Sequence, residues 1–66
     1  MESKEYKKID SVVSQIERVG HSGIGLSWCA DRTAWAYKWK KITKQEMIDL
    51  ADRITKLFDE GYEIYG

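Results

Sequence analysis

A chain of 66 residues with a single cysteine has few ways to hold itself together. So short a chain buries only about 60% of the surface its unfolded form exposes. At roughly 0.05–0.15 kcal/mol per residue, its expected stability is only ~3–10 kcal/mol. Small domains commonly add disulfides, a structural metal or a second subunit. Cys29 has no second cysteine to pair with, and with His21, the one histidine, it falls short of a four-ligand zinc site. Association is the route left. The sequence therefore predicts one domain over residues 1–66 that forms a homo-oligomer, a dimer by preference, and needs no cofactor.

Hydrophobic residues at 42% and charged residues at 33% supply a core and lie outside the disordered range. No apolar run approaches the 18 residues of a membrane helix, so no membrane partner is expected. Met1-Glu2-Ser3-Lys4-Glu5 lacks the apolar stretch of a signal peptide, and a free cysteine suits a reducing compartment. The expected location is the cytoplasm. A net charge of zero argues against a dedicated DNA-binding domain.

Tyr6, Ile9, Val12, Val13, Ile16 and Val19 follow the three-and-four spacing of one helical face, with Ser3 as N-cap and Gly20 as stop. Gly20-His21-Ser22-Gly23 forms a polar link. Beyond it Ile24, Leu26, Trp28 and Ala30 alternate with Gly25, Ser27 and Cys29. Thr33, Trp35, Tyr37 and Trp39 alternate with Ala34, Ala36, Lys38 and Lys40. That period of two predicts a β-hairpin turning around Asp31-Arg32, with Trp28 opposite Trp35 on one face. The last segment opens on a capping box, Thr43 to Glu46, flanked by Ile42 and Met47 at the spacing of a hydrophobic staple. Met47, Leu50, Ala51, Ile54, Leu57 and Phe58 form its apolar stripe, and Gly61 ends it with Tyr62 folding back on Phe58. The alternating tail Tyr62-Glu63-Ile64-Tyr65 suits a short third strand.

The expected fold class is thus α+β, a helix–β-hairpin–helix (α-β-β-α) with both helices covering the aromatic face of the sheet. Its other face would be flat and small: Gly23, Gly25, Ser27, Cys29, Ala34 and Ala36, ending in Lys38 and Lys40.

The chemistry-bearing residues give little. His21 in a loop and Cys29 in a strand form no nucleophile–base motif, and Asp49, Asp52 and Asp59 read as a solvated helix face. Gly23-Ile24-Gly25 lacks the strand-before, helix-after setting of a phosphate loop. Charge distribution says more. Residues 32–44 hold Arg32, Lys38, Lys40, Lys41 and Lys44 and no acid, whereas residues 46–63 hold six acids against Arg53 and Lys56. Aromatic and basic side chains interleave from Trp35 to Lys41, a combination that single-stranded nucleic-acid platforms use. Alternation in a strand would nonetheless bury Trp35, Tyr37 and Trp39 and leave the lysines on the other face.

The expected function follows: a small non-catalytic protein, acting as a homo-oligomer, that binds another macromolecule, foremost a protein. Its contact surface would be Gly25, Ser27 and Ala36 with the flanking charges Arg32, Lys38, Lys40 and Lys41. The alternative is binding of a nucleotide or short single-stranded nucleic acid by the lysines with Trp39.

Overall fold

In the computed structural model, described over residues 2–61, the chain is a three-helix bundle: α1 (Lys4–Val19), α2 (Leu26–Lys38) and α3 (Lys44–Asp59). There is no strand among the described residues. The α+β expectation is corrected to all-α, while residues 62–65, expected as a third strand, lie outside the described residues.

The two outer helices form where their periodicity places them. In α1, Tyr6, Ile9, Val13 and Ile16 are buried and Val12 packs partly against the core, while Val19 is exposed. Gly20 takes a left-handed φ of 85° and its N–H donates to the Ile16 carbonyl, closing the helix as expected. In α3, Glu46 N donates to the Thr43 hydroxyl at 3.1 Å and Thr43 N to the Glu46 carboxylate at 2.9 Å, so both halves of the capping box are made. Leu50, Ile54 and Leu57 are buried, and Met47 and Phe58 pack beside them. Gly61, also at φ 85°, turns the chain after α3.

The hairpin is where the sequence misleads. Residues expected as two strands and a turn form one helix, α2, whose buried side is Leu26, Cys29, Thr33 and Ala36. Their offsets of three, seven and ten are helical. These small side chains, apart from Leu26, let α2 come close to the larger residues of α1 and α3, which fill the space between. Thr33 meets its own polar need by donating to the Cys29 carbonyl at 2.7 Å. Trp35, Tyr37 and Trp39 are exposed and Trp28 is half-buried, so the aromatic face is not the covered one. Cys29 and Ala36, expected on an open surface, are fully buried.

Polar contacts clasp α1 to α3. Arg53 reaches Asp10 at 2.6 Å, Glu17 at 3.0 Å and Asp49 at 3.1 Å, and also donates to Ser14. Tyr6 donates its hydroxyl to Asp49 at 2.8 Å. Ser3 sits at the N-cap of α1 but does not cap it with its side chain. Its N–H and hydroxyl donate instead to the two oxygens of Glu46, at 2.8 and 2.6 Å. No helix among the described residues is long and apolar enough to cross a membrane.

Candidate functional site

The outward side of α2 collects the residues that the core leaves over. Trp28, Arg32, Trp35 and Trp39 are spaced i, i+4, i+7 and i+11, which stacks them along one face of a helix. The Arg32 guanidinium lies 4.2 Å from the centroid of the Trp35 ring and 5.9 Å from that of Trp28. Both distances are within cation–π range. Its Nε donates to Glu5 on α1 at 2.5 Å, so the arginine is held from two sides. The same contact keeps the Glu5 carboxyl below its ordinary pKa, against partial desolvation, and raises that of Arg32.

The C-terminal end of this face is more open. Trp39 is 59% exposed, and Lys38 Nζ lies 5.8 Å from its ring centroid. The helix ends there in a full Schellman closure: Lys41 N donates to the Ala36 carbonyl at 2.7 Å and Lys40 N to that of Tyr37 at 3.1 Å. The residue this motif places in the left-handed region is Lys40, at φ 58°. The other two helices use glycine at the corresponding turn. A side chain there costs about 1–2 kcal/mol.

The site residues expected from sequence separate into two sets. Arg32, Lys38, Trp39, Lys40 and Lys41 fall on the outward face of α2 or in the link that follows it. Gly25 is the N-cap of α2 and Ser27 is in its first turn. At 1.5 Å per residue both lie about 17–20 Å from Lys38 along the helix. Ala36 points into the core and is fully buried. The structure does not bring Gly25, Ser27 and Ala36 together on one surface, because all three would share a face only across a hairpin. Sequence reading missed Trp28 and Trp35 as surface residues and Glu5 as the anchor of Arg32. The i, i+4, i+7, i+11 spacing was the signal that finds them.

Several of the groups able to do chemistry are buried or tied to neighbours. Burial pushes the Cys29 thiol up to about 11, so it stays protonated and inaccessible. The hydrogen bond to Asp49 raises the Tyr6 phenol to about 12. The carboxylates Asp10, Glu17 and Asp49 are tied to Arg53. No group of three His, Cys, Asp or Glu side chains among the described residues is placed to hold a metal. Gly23-Ile24-Gly25 leads into a helix rather than a strand, which removes one objection to an anion role. Gly23 is exposed with open space around it, and no basic residue follows in the first turn of α2.

No protein-family model, no curated protein and no solved structure matches the chain. What the site can do rests on its own geometry: a rigid Trp–Arg–Trp stack that runs into an exposed tryptophan among three lysines.

Proposed function

We propose that this is a non-catalytic interaction protein whose contact surface is the outward face of α2 with residues 39–41, and that its partner is a protein with an acidic surface. The observation that carries the reading is the Arg32–Trp35 stack beside the open Trp39 ring. Tryptophan, tyrosine and arginine dominate the energetics of protein interfaces, and side chains already held in place lose little freedom on binding. Lys38, Lys40 and Lys41 add positive charge around that centre, where it speeds encounter with an acidic partner. The buried, unpaired thiol suits a reducing compartment, and the cytoplasm is the proposed location.

Single-stranded nucleic acid is the second reading, and Trp39 is what favours it. An exposed indole among lysines offers one base a stacking surface and its phosphates a counter-charge. Trp35 fits this less well, since Arg32 already covers its face.

Tryptophan fluorescence during titration with oligodeoxythymidylate separates the two. The protein reading expects no saturable quenching, and expects a partner recovered on wild-type protein but not on Trp39→Ala or Lys41→Glu. Saturable, salt-sensitive quenching that Trp39→Ala abolishes would replace it with the nucleic-acid reading.

A further inference from the structure

On the other side of α2 an apolar groove runs between α2 and α3. Its walls include Ala30 and Ala34 on one helix and Met47, Ala51, Thr55 and Phe58 on the other. The small residues make it shallow, and Ile48, on the same side of α3, is exposed beside it.

The charges at its rims have an order. On α2, Asp31 lies one turn before Ala34 and Lys38 one turn after it, all on one face. On α3 the matching row runs from Lys44 through Ile48 and Thr55 to Asp59. Residues 39–43 reverse the chain, so α2 and α3 run antiparallel. Lys38 and Lys44 therefore mark one end of the groove, and Asp31 and Asp59 the other. All four are exposed, and none is in an ion pair among the described residues.

We infer that this groove is a self-association surface whose occupant is a second copy of the chain, docked groove to groove and end to end reversed. A two-fold axis lying across the groove brings α2 onto α2 and α3 onto α3 with directions opposed. The basic end of each copy then meets the acidic end of the other: Lys38 faces Asp31, and Lys44 faces Asp59. Ala34 lies midway between Asp31 and Lys38, and Ala51 midway between Lys44 and Asp59. The axis thus passes through two alanines, where the helices of the two copies can come closest. An axis along the groove would set lysine ends together and is disfavoured. The interface leaves Trp28, Trp35 and Trp39 free, because they lie on the α1 side of α2, where Arg32 meets Glu5, and it shares only Lys38 with the contact surface proposed above. Asp52, next to Ala51, falls near the axis and meets its own copy, so it opposes the dimer.

Sedimentation equilibrium of the full chain, with circular dichroism to verify folding, tests this. Wild type should dimerise, and Ala34→Arg should be monomeric. Lys38→Glu should weaken the dimer by roughly tenfold, since symmetry doubles each surface pair, and Asp31→Lys should do the same. The two together should restore the wild-type constant. Asp52→Asn should tighten association, and Trp39→Ala should leave it unchanged. A wild type that stays monomeric at high micromolar concentration overturns the inference. So does a charge-swap pair that fails to recover, even if Ala34→Arg fails to fold.

Discussion

Lys40 is the residue whose conformation and identity disagree most openly. A left-handed φ of 58° suits glycine, and Gly20 and Gly61 occupy such positions at the ends of α1 and α3. Lys40→Gly should therefore raise stability by about 0.5–1 kcal/mol, visible as a higher melting temperature. If the lysine serves the proposed contact surface, the same change should weaken partner binding while the protein becomes more stable. Two carboxylates show a related economy of placement. Glu5 is held below its ordinary pKa by Arg32. Glu46 is lowered as well: its partial desolvation acts upward, and the hydrogen bonds from Ser3 and Thr43 outweigh it. For a depressed carboxyl the stabilisation is present above the ordinary value, near 4.5, and is lost as pH falls through the lower folded value. Denaturant melts across that acid range should show stability falling, with a shallower slope in Glu46→Gln. Tyr6 acts at the other extreme. With its folded value raised from 10.0 to about 12, stability should decline as pH rises between them, and Tyr6→Phe should remove that part of the loss.

Among the elements, α2 separates what sequence discloses from what it withholds. Trp35→Ala and Trp39→Ala should each cost no more than about 1 kcal/mol, because the first loses a stacked arginine and the second is mostly exposed. Ala36→Arg should prevent folding, since it drives a charge into a fully buried position. Thermal melts of the three variants test this ranking, which a hairpin would have reversed. The two outer helices were legible because large apolar residues recur at helical spacing and their termini carry signals of their own. Thr43 and Glu46 form the expected capping box, and Thr43→Ala should cost about 1 kcal/mol, or 4–8 °C in melting temperature. In α2 the large apolar residues after Leu26 are the outward ones. Trp35, Tyr37 and Trp39 alternate, while the core side after Leu26 consists of a cysteine, a threonine and an alanine, which weigh little in a hydrophobic pattern. Ala30, Ala34 and Ala36 are strong helix formers and poor strand residues, and they were the local evidence against a hairpin. The site was half legible for the same reason. Charge runs survive a wrong choice of secondary structure, so Arg32 and the lysines were found, but facing depends on the period, so their aromatic neighbours were placed inside.

At the scale of the molecule, α1 and α3 are joined by a polar seam centred on Arg53. Removing that side chain leaves Asp10, Glu17 and Asp49 facing one another without their cation. Arg53→Ala should destabilise the bundle at neutral pH, measured by urea unfolding. Another tie between these helices is Glu46, one carboxylate that receives donors from the N-cap of its own helix and from Ser3, which is 43 positions away. These two sets of bonds differ in when they can form. The bond within Thr43–Glu46 closes a loop of a few residues and is available to an isolated helix, whereas the Ser3 bonds wait for nearly the whole chain to return on itself. Loss of the Thr43 hydroxyl should then show in the folding rate. Loss of the Ser3 hydroxyl should leave that rate almost unchanged and appear as faster unfolding. One residue, Glu46, would thus report on the early side of the folding barrier through its N–H and on the late side through its carboxylate.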